Sequence, residues 1–311
     1  MASMKFLAVA ALTFATFTQA ASAAPTVVVS IKPLHSLVAS IMKGIGDPEL
    51  IVAGAASPHT YNLKPSNADA LQEADVVFWV GHGLEAFLDK PLMALAGNAK
   101  VVEMDDIPGL DKLAFREGGP FDHHDDDDHA GEAEHAEEHG GYDLHLWLDP
   151  TNAKAMARQI ETTLVAVDPD NAETYHRNAT TLQAAIDAVD AEAAALLKPV
   201  SDKPSVVFHD AYQYFEHRYH VRVVGSVTVS PENLPGAERI AEIQAKVRDL
   251  QAVCIFAEPQ FESSLLQVVA EGSTARFGVL DPLGTTLADG PDLYVELIRN
   301  LATAMRDCLS G

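Results

Sequence analysis

Apolar residues occur along this chain in two kinds of run. TVVVSI (26–31), LIVAG (50–54), DVVFWVG (75–81) and KVVEM (100–104) are short, β-branched and nearly continuous, the pattern of strands buried on both faces. Between them, LHSLVASIMKGI, NADALQEA and GLEAFLDKPLMALAG carry helical spacing. After residue 204 the rhythm returns with SVVFHD, VRVVGSVTV, AVCIFAEP and RFGVLDP, and Ile240, Ile243, Val247 and Leu250 mark one helical face between strands. Strands alternating with helices predict an α/β fold of two (β/α) lobes with parallel sheets.

One long helical pattern separates the halves. Asp168 suits an N-cap and Pro169 the first helical position. Tyr175, Ala179, Leu182, Ile186, Val189, Ala193 and Leu196 then recur at alternating steps of four and three. Thirty helical residues would extend about 45 Å, long enough to run along both lobes and to limit how far a cleft can open. The predicted organisation is an N-terminal lobe over 24–167, a connecting helix over 168–198 and a C-terminal lobe over 199–311. A ligand site is expected between the lobes, at the strand C-termini.

Residues 1–23 stand apart from this scheme. Lys5, an apolar run from Phe6 to Phe17 and Ala21-Ser22-Ala23 form the three parts of a secretory signal peptide, cleaved near Ala23/Ala24. The apolar run is shorter than the roughly 20 residues of a membrane span, so the expected mature chain is exported and not inserted in a membrane. Hydrophobic content of 48% supplies real cores. The net charge of −24 opposes nucleic-acid binding and favours cations. Two cysteines, Cys254 and Cys308, in an exported protein read as a disulfide closing a loop of about 55 residues, rather than as a zinc site with its close ligand pairs.

Candidate chemistry concentrates in histidines. From 123 to 139 the sequence HHDDDDHAGEAEHAEEH holds five of them, His123, His124, His129, His135 and His139, with eight acids. Such a composition buries no core and predicts a mobile loop over about 117–141, able to bind metal weakly through neutral imidazoles. A second set lies singly at strand ends: His59 in SPHTYNLKPS, His145 in HLWLDP, His209 in VVFHDAYQYF, and Asp281 in GVLDPLG. Three imidazoles and a carboxylate make a four-coordinate site for a borderline-soft divalent ion such as Zn2+. His35 and His82 are expected to pack or hydrogen-bond near the cleft, and His176, His217 and His220 to lie at the surface. Glu258 in FAEPQF is a candidate to orient a ligand from behind.

The segments SIKPLHSLV, GAASPHTYNLKPS, HLWLDP, FHDAYQYF, FAEPQF and LDPLG occur in order along the whole mature chain. Together they resemble the ZnuA-type zinc branch of the metal-specific ABC-transporter solute-binding proteins. The resemblance implies two lobes joined by a long helix, metal in the cleft, and His59, His145 and His209 as ligands, with Asp281 at the acidic position, which either binds directly or leaves room for water as the fourth ligand. It also implies a periplasmic monomer delivering zinc to an inner-membrane ABC permease and its ATPase, without enzymatic activity. Some zinc members carry glutamate before the first histidine, where this chain has Pro58. Manganese-type relatives tend to carry glutamate where His209 stands, and imidazole there favours zinc. The acidic, histidine-rich insertion and a disulfide in the second lobe are likewise features of the zinc branch. The competing readings are a manganese or iron receptor on the same scaffold, a zinc-dependent hydrolase, for which no H-E-x-x-H motif is present, and a periplasmic zinc buffer without a transporter.

Overall fold

The computed structural model describes residues 24–116, 141–228, 235–261 and 264–311. The signal-peptide assignment and the five histidines of the acidic segment lie outside the described residues.

All eight predicted strands form, in two four-stranded parallel sheets. In the first, β1 (Val27–Ile31), β2 (Glu49–Val52), β3 (Val76–Trp79) and β4 (Lys100–Glu103) lie in the order β2-β1-β3-β4. In the second, β5 (Ser205–His209), β6 (Val223–Thr228), β7 (Cys254–Ala257) and β8 (Arg276–Val279) repeat that order as β6-β5-β7-β8. Each sheet reverses its winding beside its first strand, and there the strand C-termini open a crevice. Helices α1 (Lys32–Met42), α2 (Pro65–Glu73), α3 (Asp89–Leu95) and α4 (Pro150–Val167) belong to the first half.

The connecting helix α5 spans Ala172–Leu197, preceded and followed by 3-10 turns at Pro169–Asn171 and Lys198–Val200. Its 26 residues measure about 39 Å at 1.5 Å per residue. The predicted stripe is buried through Ala193, but its last member is Leu197, with Leu196 half-buried, because the final step is four residues and not three. Asp168 caps the turn and its carboxylate accepts from Tyr175 Oη at 2.9 Å and Asn171 Nδ2 at 2.8 Å. Leu250, expected on the buried face of α7 (Ala237–Asp249), is exposed just past the helix end, while Ile243 and Val247 are buried. The remaining helices are α6 (Gln213–Tyr219), α8 (Ser264–Val269) and α9 (Leu293–Ser310).

Helix α5 packs on α1 and α4 of the first lobe and on α9 of the second, so both lobes rest on the same rod. The strands of the second sheet show why one core spans the molecule. On β5 and β7, Val207, Cys254 and Phe256 face the large shared core, which runs without interruption into β1 and α1. Their neighbours Val206, Phe208 and Ile255 face a separate cluster under α7 and α8, as the period-2 alternation of a strand requires.

Polar bonds stitch the lobes over this core. Trp147 Nε1 donates to Pro282 O at 2.8 Å, and Tyr294 Oη returns a bond to Trp147 O at 2.8 Å. Lys32, 4% exposed, donates to Leu287 O at 2.9 Å and pairs with Asp289 at 3.0 Å. Arg116 bridges Asp210 and Glu216, whose carboxyl is pushed up to about 7 by burial despite the guanidinium beside it.

The Cys254–Cys308 disulfide ties β7 to α9 across 54 residues of sequence. Replacing both cysteines by alanine is expected to lower stability by about 4 kcal/mol in the loop-entropy model. The change is read as a fall in the denaturant midpoint, with reduced wild-type protein as the matched control.

Candidate metal centre

Three histidines arrive at one point from distant parts of the chain. His59 lies on the connection after β2, behind the buried Pro58. His145 precedes the turn Leu146–Leu148 that leads into α4, where Asp149 caps the helix by accepting from Thr151 N at 2.7 Å and Pro150 occupies its first turn. His209 is the last residue of β5 and is 3% exposed. The His145 Nε2 lies 3.4 Å from the Nε2 of His59 and 3.3 Å from that of His209. Bonds of about 2.0–2.1 Å to a tetrahedral zinc ion imply nitrogen separations of about 3.3–3.4 Å, so these two spacings match such an ion.

What turns these atoms toward each other is a pair of carboxylates behind the rings. Asp143 Oδ1 lies 2.7 Å from His145 Nδ1, and Glu258 Oε1 lies 2.7 Å from His209 Nδ1. A carboxylate only accepts, so each Nδ1 carries the proton and each neutral ring presents its Nε2 lone pair to the centre. Both acids are buried. Glu258 was legible in the sequence as an orienting residue; Asp143 was not named, although its place two residues before a histidine at a helix entry was the available signal.

The rings differ in proton affinity. Withdrawal from water, reinforced by the neighbouring His145 and His209 rings, holds His59 well below the usual histidine pKa. Burial also opposes charge on His209, but the Glu258 carboxylate and its hydrogen bond, helped by Asp210 and Asp143, outweigh it and raise the pKa. The space between the rings is about 10 Å3, room for an ion or at most one water, walled by Pro58, Trp147, Phe261, Pro282 and Leu283.

The other predicted residues sort clearly. Among the described residues, His59, His145 and His209 form the one group of three or more metal-binding side chains whose donor atoms lie within 4.8 Å of one another. Asp281, expected at the acidic position, is not in that group. Its carboxylate is turned into its own loop, accepting from Thr285 Oγ1 at 2.9 Å, Leu283 N at 3.2 Å and Gln260 Nε2 at 3.1 Å, and it lines a different cavity. The loop's tight turn wants an acceptor at that position more than the cleft does. His35 bonds Pro48 O at 3.0 Å, and His82 bonds Asp89 at 2.8 Å against the face of Trp79. His176, His217 and His220 are exposed.

The comparisons with known proteins agree with this geometry. A family model described as "ZnuA: Zinc-uptake complex component A periplasmic" matches residues 27–308. The chain is 52% identical over 305 residues to the high-affinity zinc uptake system protein ZnuA of Brucella suis, covering 91% of each chain. It is 36% identical to the protein of that name from Yersinia pestis, covering 92% of each. Among solved structures it superimposes on a crystal structure of ZnuA with TM-score 0.75 at 23% identity, over 92% of this chain and 99% of the other. It also superimposes on FpvC of Pseudomonas aeruginosa in complex with Mn2+, with TM-score 0.75 at 19% identity, over 92% and 98%. At such identities the two structures speak to the fold.

Metal must displace any proton on the Nε2 of each ring. Because the pKa of His209 is raised above 6.5, competition by protons is expected to begin above pH 6.5 and to deepen on acidification. His59, with its lowered pKa, adds to the loss only at more acidic pH. Chelator-competition titrations from pH 8 to 5 test this; an affinity flat down to pH 6 contradicts it. Removing either orienting charge, by Asp143→Asn or Glu258→Gln, is expected to weaken metal binding about 10–100-fold in the same titration.

Proposed function

Because this chain belongs to the periplasmic zinc-uptake component A family, we propose that it is a high-affinity periplasmic zinc receptor that delivers Zn2+ to an ABC-type importer. The observation that carries this reading is the convergence of three imidazoles, with His145 Nε2 at tetrahedral spacing from the Nε2 atoms of His59 and His209 and no carboxylate in the group. Nitrogen donors favour zinc over manganese, whose preference is for oxygen. His59, His145 and His209 are the ligands in this reading. Asp143 and Glu258 hold the rings and do no chemistry on the ion. The ion is cargo, so the protein acts as a monomeric binding partner of the permease and its ATPase, not as an enzyme. Among the described residues no helix is long and apolar enough to cross a membrane, in keeping with a receptor that meets its permease from outside the bilayer.

The acidic, histidine-rich segment has an accessory role in this reading. His123, His124, His129, His135 and His139, just upstream of His145 in sequence, collect zinc weakly and raise its concentration near the cleft.

His59→Ala is expected to abolish tight zinc binding in competition titrations while the apo protein melts as wild type. In a strain lacking the native gene it fails to restore growth on chelated medium; wild-type affinity in the variant sinks the ligand assignment. Deleting 122–139 is expected to leave one tight site and to remove additional weak sites in calorimetry. Equal zinc stoichiometry in the two proteins removes the loop's role.

A further inference from the structure

Three histidines leave a tetrahedral ion one donor short, and the residue sequence analysis put there, Asp281, faces elsewhere. Neither Asp143 nor Glu258 fills the place. Asp143 Oδ1 and Glu258 Oε1 each bond a ring on its Nδ1 side, away from the Nε2 atoms, and neither residue belongs to the converging donor group. Pro58 has no donor to offer, and the Ser57 hydroxyl accepts from His59 N at 3.3 Å.

Resting on the zinc-receptor reading, we propose that Gln260 supplies the fourth donor through its Oε1, and that Asp281 is the residue that aims it. Gln260 lines the cavity between the three histidines, on the segment that also carries Glu258. Its Nε2 donates to Asp281 Oδ1 at 3.1 Å. A carboxylate accepts only, so the amide has one sensible orientation: nitrogen toward Asp281, oxygen away from it. That oxygen is buried and has no hydrogen-bond partner among the described residues. A buried amide oxygen without a partner is costly, and an ion beside it removes that cost.

Charge balance favours a neutral donor at this place. A divalent ion with three neutral imidazoles carries two positive charges, and Asp143 and Glu258 directly behind the rings carry two negative ones. A carboxylate in the fourth position would leave a net negative charge in a buried, largely apolar cavity, which is costly. An amide oxygen completes the sphere without altering the balance. It is also a weaker donor than a carboxylate, which suits an ion that has to be given up.

The test is Gln260→Leu, similar in bulk but without a donor, in the full chain. With Co2+ as a visible probe, the variant is expected to show altered absorption bands and, in zinc competition, affinity lower by about tenfold or more. Unchanged apo melting would separate this from a general loss of fold. Wild-type Co2+ bands together with wild-type zinc affinity overturn the proposal. Should the leucine variant fail to fold, Gln260→Glu decides. An anionic oxygen at the metal, facing Asp281 without the amide donor, is expected to shift the Co2+ bands, and a wild-type spectrum overturns the assignment. Failure of the underlying reading looks different. In that case wild type takes up neither ion, or His209→Ala retains full binding, whereas histidine-dependent binding with an unchanged Gln260→Leu spectrum fails only the Gln260 assignment.

Discussion

The structure is organised around nitrogen lone pairs made to face one another. With Asp143 and Glu258 each accepting a hydrogen bond from an Nδ1–H, the neutral rings of His145 and His209 point unprotonated Nε2 atoms at each other across 3.3 Å. Such an arrangement is repulsive until a proton or a metal ion enters. Glu258 raises the pKa of His209 against the effect of burial, so a proton competes for this ring. Zinc, to enter, requires that proton to leave. Affinity therefore comes from holding together donors that would otherwise move apart, and that demands a stiff frame.

The frame is stiff because the lobes share one core. Buried residues of β1, α1, α4, α5, β7 and α9 belong to a single apolar cluster. The polar groups over it include pairs across the lobes: Tyr214 Oη donates to Asp143 O at 2.7 Å, fixing the carboxylate-bearing residue behind His145, and Tyr294 Oη donates to Trp147 O at 2.8 Å. Parting the lobes would uncover Trp147, Tyr212, Tyr214 and Tyr294, all buried to within 1% of their surface. Each such aromatic carries several kcal/mol of burial and packing, of the order lost when a buried Phe or Trp is cut to Ala. The segment 281–291 is the tie that meets both requirements. Pro282 and Leu283 close one side of the metal cavity, while Leu287 and Asp289 hold Lys32 of the opposite lobe.

The sheets and the three converging histidines were legible in the sequence because each depends on local pattern or on position at a strand end. Eight continuous apolar runs give eight strands, since burial on both faces leaves no polar alternation to confuse the reading. His59, His145 and His209 were reachable through matched segments, not through spacing, because 86 and 64 residues of chain lie between them. Asp143, the orientation of Gln260 and the true partners of Asp281 were not legible in this way. An aspartate at a strand end reads equally as a ligand or as a turn acceptor. Only the loop's path decides, and here Leu283 N, Thr285 and Thr286 claim its oxygens. The end of the α5 stripe fails for a similar reason: alternating steps of three and four fit 3.6 residues per turn only on average, and packing chose Leu197.

Placing the carboxylates behind the imidazoles separates two tasks that a direct carboxylate would merge. Attraction for a divalent cation needs negative charge nearby, and the buried Asp143 and Glu258 provide it at one ring's remove, within a chain already carrying a net charge of −24. Selection among cations needs donor softness, and that is set by the atoms that touch the ion. If Asp281 had entered the sphere, its hard oxygen would have improved the fit for manganese and added charge that only proton uptake or another cation could balance. With the acid turned to Gln260 and the loop, the charge still acts through the amide dipole while the contacting atoms stay neutral. The same acids make the rings better donors by drawing on the Nδ1 proton, so charge that does not touch the metal still strengthens the bonds that do.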